Sequence, residues 1–307
     1  MQVRRQPITQ AIAWMRQAIN LGARNPRAIF GAALLMMGVL YLSVMLLLLP
    51  VSATLSAGSD INAVLPWMVP AYVVLFLLFP VLLGGLMHVI REAESGREAK
   101  ASGLFAPFRQ GRAGQLALLG FVQLLLAILS TALVVGLAGG EYWTNYLAAL
   151  RSAAGGVMPE TMPTPDNPGL MTLVQMVFNY FSFALTLFGV PLILFSKLPV
   201  TEALRAALRA TLVNFPANFL AGAMFFGGSL LLGAFAVVFV LIAVWIGGLL
   251  HPAFGSLLGF IILIIVGMVL LVVLTGAAYF AWRDTFGEQD DVSPPARGPG
   301  GTIGIEV

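Results

Sequence analysis

The sequence predicts an all-α, polytopic membrane protein whose six transmembrane helices form three hairpins, with amphipathic elbow helices on the cytoplasmic side. Three observations support this fold class. Of the 307 residues, 59% are hydrophobic and 9% are charged, whereas about a quarter of the residues in soluble domains are charged. Six apolar runs are each close to the roughly 20 residues that a spanning helix needs. The basic residues are also distributed unequally between the segments that connect these runs.

The apolar runs divide the chain into one membrane domain and a tail. The domain covers residues 1–286, and its predicted spans are residues 29–50, 65–90, 115–138, 169–195, 217–247 and 254–282. Residues 287–307 are rich in Pro and Gly, so we expect a disordered cytoplasmic tail. Between the third and fourth spans, three aromatic residues predict a short helix at the outer interface, where such rings prefer to lie: Tyr142, Trp143 and Tyr146.

The charges of the connecting segments predict the orientation of the spans. Fifteen of the sixteen Lys and Arg residues lie in the N-terminal segment, in the second and fourth connections, or after residue 282. The opposite side carries only Arg151, together with four acidic residues: Asp60, Glu141, Glu160 and Asp166. Because connections rich in Lys and Arg stay in the cytoplasm, both termini are predicted to be cytoplasmic.

Two similar amphipathic segments precede the first and fifth spans. Thr9 and Thr201 are placed to cap their first turns. The first elbow helix, over residues 7–27, carries an apolar face formed by Ile8, Ile12, Met15 and Ile19. The second carries Leu204, Leu208 and Leu212. We expect five basic side chains to contact lipid headgroups: Arg16, Arg24, Arg27, Arg205 and Arg209. The similarity indicates either a parallel repeat of hairpins or two independent interfacial helices.

A polar stripe crosses the fourth span. Its four residues are spaced so that they share one face of a helix: Gln175, Asn179, Ser182 and Thr186. One interpretation is a polar lining for a substrate path. The other, which we favour, is that the stripe hydrogen-bonds to neighbouring spans, with Gln123 of the third span as a partner, because an unpaired amide is costly in lipid.

Helix-breaking residues interrupt the second and fourth spans toward their cytoplasmic ends. These are Pro80, Gly84, Gly85 and Pro191. Kinks at these positions would allow a hinge or a cavity that faces the cytoplasm. The alternative is ordinary helix packing, because Pro and Gly are frequent in membrane helices.

The sequence offers little catalytic chemistry. It contains no cysteine, and its two histidines, His88 and His251, are assigned to opposite membrane surfaces. No catalytic or phosphate-binding motif is present, and no predicted span contains a charged residue. The basic residues form no dense run of the kind that binds nucleic acid. We therefore expect no catalytic residue, no cofactor, no metal and no nucleic-acid partner.

Four short segments carry a resemblance. They are AWMRQAINLGARNPRAIF, GGLMHVIREAESGR with the following LFAPFRQG, TEALRAALRATLVNFPANFL, and AYFAWRDTFG. With these segments the chain resembles an uncharacterised family of bacterial inner-membrane proteins, similar in pattern to the membrane domain found beside glycerophosphodiester phosphodiesterases. The resemblance implies six helices in the bacterial inner membrane. It carries over no catalytic residue, since the phosphodiesterase's soluble domain has no counterpart here.

These observations favour a non-catalytic scaffold or accessory protein in membrane organisation. Its expected partners are membrane lipids and either other proteins or a second copy of the chain. The first alternative is a transporter or channel for a small or lipidic substrate, using the polar stripe and the kinks. A membrane-embedded enzyme is the weakest alternative, because the spans lack an acid, base or nucleophile cluster.

Overall fold

The computed structural model describes residues 2–56, 65–154 and 161–287, and no strand occurs in these ranges. The helices are α1 (Gln10–Arg24), α2 (Pro26–Ser56), α3 (Leu65–Glu94), α4 (Ala106–Arg109), α5 (Ala113–Ala138), α6 (Tyr142–Ala154), α7 (Pro168–Leu194), α8 (Val200–Val213), α9 (Phe215–Gly248) and α10 (Pro252–Phe286). A 3₁₀ turn, Ala101–Phe105, precedes α4. Six of these helices, α2, α3, α5, α7, α9 and α10, are long and apolar enough to cross a bilayer. The all-α fold with six spans is therefore confirmed.

The six long helices pair as three hairpins, as predicted. These are α2 with α3, α5 with α7, and α9 with α10. In the last hairpin Gly247 allows the backbones to approach closely, because a Cβ added there would lie 2.6 Å from the Cα of Gly255. Helix α3 also packs against α5, and α10 contacts α2, α3 and α7. The hairpins therefore form one bundle.

One end of this bundle, which we call the basic end, carries residues 2–9, 95–112, 195–199 and 283–287. The half of the bundle next to it, the basic half, contains the main core. The buried side chains concentrate there, within residues 28–36, 80–90, 184–194 and 272–286. By contrast, only 11% of the most apolar window of α9, and likewise of α10, is buried, compared with 56% in α3. The opposite half therefore exposes much of its apolar surface, as expected for helices in lipid.

Each of the two elbow helices packs on the bundle through one buried face. In α1 the buried face consists of Ala11, Trp14, Ala18 and Leu21, and in α8 it consists of Ala203, Ala207, Ala210 and Thr211. The predicted apolar stripe of α1 instead faces outward, with Ile8, Ile12 and Ile19 all more than half exposed, although Met15 is buried. The protein-facing side of α8 is therefore formed mainly by small residues, whereas that of α1 also contains the large side chains of Trp14 and Leu21. Both helices expose large aliphatic residues on the other side.

The predicted threonine caps are wrong. Thr9 precedes α1 but makes no side-chain capping bond, since its backbone is already helical, with φ −64° and ψ −18°. A capping residue needs a non-helical backbone to turn its side chain toward the first turn. The second helix begins before Thr201, and Pro199 occupies the capping position with an extended backbone.

Three further predictions concern the connection after α5, the end of the sixth span and the tail. The aromatic segment forms α6, as expected. Helix α10 continues four residues beyond the predicted end of the sixth span, to Phe286. The predicted tail, apart from Gly287, lies outside the described residues.

Candidate functional site

The polar stripe of α7 divides into two parts. Toward the basic end, the Ser182 hydroxyl donates a hydrogen bond to Oε1 of Gln123 on α5, which is the contact that the sequence predicts. Thr186 is buried and its hydroxyl donates to the carbonyl of Ser182 at 3.0 Å. This part of the stripe therefore lies within the packed interface of α5 and α7.

The other part of the stripe faces outward. Gln175 and Asn179 are exposed, and Nε2 of Gln175 donates to Oδ1 of Asn179 at 2.9 Å. The bonds predicted from these two amides to neighbouring spans do not occur among the described residues, where the amides bond to each other. Their remaining donors and acceptors make no hydrogen bond to the described part of the chain.

The residues predicted as hinges lie in the core of the basic half. Pro80, Gly84, Gly85 and Pro191 are all buried. A Cβ added at Gly85 would overlap the carbonyl of Leu104, so this glycine admits the backbone of the 3₁₀ turn. The sequence allowed two interpretations of these residues, a hinge or cavity that faces the cytoplasm and ordinary helix packing. In the structure they lie in close packing contacts.

Pro80 also has a direct packing consequence. A proline within a helix leaves the carbonyl four residues earlier, here that of Phe76, without its usual N–H partner. Gly120 of α5 lies against this carbonyl, so closely that an added Cβ would overlap it. A Cα–H···O contact of this kind supplies part of the lost bond. The proline and the glycine thus act together to join α3 and α5.

The basic residues predicted to contact headgroups lie on the outside of the molecule. Arg16, Arg27, Arg205 and Arg209 are exposed, whereas the side chain of Arg24 lies outside the described residues. All of them belong to α1, α8 or the start of α2, on the basic end of the bundle. Their positions allow contact with headgroups, which stays a prediction.

A cluster that the sequence analysis missed surrounds Asp284, near the end of α10. Its Oδ2 atom accepts hydrogen bonds from Nε2 of Gln10 at 2.7 Å and from Nε1 of Trp14 at 2.9 Å. Trp14 is fully buried, and its indole N–H thus finds an acceptor inside the protein. Oδ1 accepts a longer bond, 3.4 Å, from Nε of Arg283.

Arg283 extends this cluster to α3 and α1. Its guanidinium lies over the ring of Phe280 at 4.9 Å, donates to Oε1 of Gln17 at 3.2 Å, and pairs with Glu94 at 3.5 Å. The cationic group is therefore held on several sides by hydrogen bonds and by an aromatic face.

The N-terminal segment completes the cluster. Gln6 donates from Nε2 to the carbonyl of Asp284 at 2.7 Å and from its backbone N–H to Oδ1 of Asn214 at 2.8 Å. Asn214, at the junction of α8 and α9, returns a bond of 3.0 Å to the carbonyl of Arg4. The cluster therefore joins the N-terminus, the α8–α9 junction and the end of α10, and its bonds run to protein groups.

A sequence signal for this cluster exists. Gln10, Trp14 and Gln17 are spaced 0, 4 and 7, the same spacing as in the stripe of α7, and therefore share one face of α1. Such a polar face on an elbow helix indicates a polar partner. The signal was hidden because Arg283 and Asp284 were assigned to the region after the last span.

The fold and these sites define a class of protein: a polytopic, all-α integral membrane protein. In the described part of the chain, no group of three or more His, Asp or Glu side chains is placed to hold a metal ion. No protein-family model, curated protein or solved structure matches this chain.

Proposed function

We propose that this chain is a non-catalytic scaffold or accessory protein in the organisation of the bacterial inner membrane, with both termini in the cytoplasm. It acts by binding other membrane-spanning helices side by side, and its first partner is a second copy of itself. The single observation that carries this proposal is the exposed amide pair of Gln175 and Asn179 on α7.

The position of this pair gives it an energetic consequence. Both residues lie well inside a 27-residue apolar helix, at the depth of the lipid chains. Their mutual bond leaves Oε1 of Gln175 and Nδ2 of Asn179 without a protein partner in the described residues. Polar groups at such depth are stabilised by hydrogen bonds across a helix interface, worth about 0.6 kcal/mol on average. A partner helix on this face would supply them.

A second copy suits this surface because the surface is self-complementary. The amide pair offers one acceptor oxygen and one amino group, and a two-fold related copy of α7 would present the same groups in the opposite order. Most of the exposed side chains around them are apolar, including Leu173 and Met176. The face thus combines an apolar contact area with two reciprocal hydrogen bonds.

The packed interior supports a role without transport or catalysis. Ser182 and Thr186, which would continue a polar path from the amides, are enclosed between α5 and α7 and bonded there. The partly buried carboxylate of Asp284 is bonded to Gln10 and Trp14 of the protein itself. Neither group lines the cavity beside α3 or the one next to Tyr142.

Disulfide crosslinking tests the proposal on a background without natural cysteines. Met176→Cys, which is 63% exposed beside the amide pair, should form a disulfide-linked dimer when membranes are treated with a mild oxidant. Phe239→Cys, 58% exposed on α9, is the matched control and should remain monomeric. Adding Gln175→Leu and Asn179→Leu should reduce the Met176→Cys dimer severalfold. Two results would contradict the proposal: equal crosslinking of Met176→Cys and Phe239→Cys, or a Met176→Cys dimer that is unchanged when Gln175 and Asn179 are replaced by Leu.

The alternative function is a transporter or channel for a small or lipidic substrate. It would require water to reach the amide pair, because a polar path must be hydrated. Asn179→Cys would then react with a water-soluble, membrane-impermeant maleimide in intact membranes. The scaffold proposal expects no such reaction, since lipid or a second helix covers this position.

A further inference from the structure

A second site lies at the basic end, where a cavity of about 180 Å³ opens between the end of α3 and the 3₁₀ turn that follows it. Its lining includes two cationic side chains, one hydroxyl and one imidazole ring: Lys100, Arg109, Ser102 and His88. Two carboxylates, those of Glu92 and Glu98, also line it. The cavity is separate from the Asp284 cluster and from the stripe of α7.

The wall of this cavity is fixed by packing. Leu104 is fully buried, and its carbonyl lies against Gly85 of α3. Gly103 lies so close to α3 that an added Cβ would be 2.9 Å from Cγ2 of Val89. Ala106 and Pro107 of α4 are also buried. The short segment that carries Ser102 and Arg109 is therefore held against α3, and the cavity is formed in advance.

The cavity lies where the apolar part of α3 ends. His88 precedes Ile90, the last apolar residue before Arg91 and Glu92. On the neighbouring turn, Phe105 and Phe108 are 38% and 51% exposed, and exposed aromatic rings are typical of the level of the lipid headgroups. The opening is therefore placed at the boundary between lipid chains and headgroups.

The charges at the cavity leave a cationic group available. Arg97 engages Glu92 through two bonds of 2.8 and 2.9 Å, and Lys100 pairs with Glu98 at 3.0 Å in a largely exposed contact. Arg109 donates from Nη2 to the carbonyl of Ser102 at 2.9 Å, but no carboxylate of the described chain pairs with it. Its Nε and Nη1 groups are therefore free to donate to an anion.

We propose that this cavity binds the phosphate of an anionic phospholipid headgroup. The planar guanidinium of Arg109 donates to two phosphate oxygens, as such groups do at bidentate phosphate sites. The Lys100 ammonium and the Ser102 hydroxyl bind the same phosphate from the other side, and His88 closes the inner wall. Phe105 and Phe108 contact the start of the acyl chains. A free phosphate shares the polar part of this chemistry but lacks the contact with the two rings.

Lipid binding to the purified full chain tests the site. Phosphatidylglycerol is titrated into the protein in a neutral maltoside detergent, and native mass spectrometry measures the dissociation constant of the first bound lipid. Arg109→Gln should weaken it about tenfold, and Lys100→Gln about threefold, because each loses a charge-assisted bond to the phosphate. Arg5→Gln, which removes an exposed arginine of the same end outside the cavity, should change it by less than about twofold. Equal effects of Arg109→Gln and Arg5→Gln would overturn the site.

Two controls identify the source of the phosphate and guard against misfolding. Replacing Phe105 and Phe108 by Ala should weaken phosphatidylglycerol but leave any binding of inorganic phosphate unchanged. Inorganic phosphate that binds as tightly as the lipid, with no effect of these replacements, would overturn the lipid assignment. Lys100→Gln alters a largely exposed side chain and so keeps the test valid if Arg109→Gln disturbs the segment.

Discussion

Polar side chains within the spans differ in what surrounds them. Gln123 is 4% exposed, and its Oε1 atom accepts the only hydrogen bond that it makes within the described chain, from Ser182. Its Nε2 atom is buried without a partner. Gln175 and Asn179 are exposed and bonded to each other. Removal of the hydrogen bond between Ser182 and Gln123 should therefore lower the stability of the protein. Removal of the bond between Gln175 and Asn179 should leave it nearly unchanged.

Stability in detergent should separate these two pairs. Ser182→Ala leaves the buried amide of Gln123 without any partner, so we expect the free energy of unfolding to fall by about 0.6 to 2 kcal/mol. Gln175→Leu and Asn179→Leu together should leave it unchanged or raise it. Thermal unfolding of the monomeric protein measures both. A clear fall for the double Leu variant in the monomer would mean that another helix of the same chain covers the amides.

The sequence predicts which residues share the stripe but not which of them are covered. The spacing of Gln175, Asn179, Ser182 and Thr186 fixes one face of α7, and this face exists. Whether another helix covers that face depends on how far the hairpins separate toward the opposite half of the bundle. This separation is a property of the tertiary structure and not of the local sequence.

At the scale of the elements, α8 shows how an elbow helix is attached. It packs against α7 through Ala203, Ala207 and Ala210, all of them fully buried. Arg205 and Arg209 lie on the other side and are exposed. The small side chains let the two helix backbones approach closely. We therefore expect protein contacts to contribute more than headgroup contacts to the docking of α8.

Limited proteolysis between residues 197 and 215 tests this expectation. Ala207→Leu adds three carbons to a closed interface, and such overpacking destabilises by about 1 to 3 kcal/mol. We expect faster cleavage of this variant in membranes. Arg205→Gln and Arg209→Gln together remove two surface contacts that would each contribute about 1 kcal/mol near an anionic bilayer. If the Arg variant is cleaved faster than Ala207→Leu, headgroups rather than α7 hold the helix.

Element boundaries show where the sequence is informative and where it is not. The fifth span was predicted at 217–247 and α9 runs over Phe215–Gly248, because a long apolar run ends at recognisable polar and turn residues. The sixth span was predicted to end at Trp282, before two charges. The helix continues because Asp284 is bonded by Gln10 and Trp14, a contact between residues about 270 positions apart. No local pattern contains this information.

On the scale of the whole molecule, the buried core and most basic residues lie toward the same end of the bundle. The basic half holds the buried core, the Asp284 cluster and the cavity beside α3, while the opposite half separates its hairpins and exposes apolar side chains. The side with most of the basic residues of the described chain is thus also the side on which the helices are held together. The segments that we propose to contact headgroups are therefore fixed at this end. The exposed helix faces that can bind neighbours lie in the other half.

The orientation of this asymmetric molecule is the last prediction. Because Lys and Arg are retained on the cytoplasmic side, the basic end should face the cytoplasm and the loop before α7 should lie outside. The absence of natural cysteine allows single reporters at exposed positions: Ser95→Cys at the basic end and Thr164→Cys at the opposite end. In bacteria with a permeabilised outer membrane, an impermeant maleimide should label Thr164→Cys at once and Ser95→Cys only after the inner membrane is lysed. The reverse labelling pattern would mean that the protein has the opposite orientation, with both termini outside the cytoplasm. Labelling of both positions before lysis would contradict the six-span topology itself.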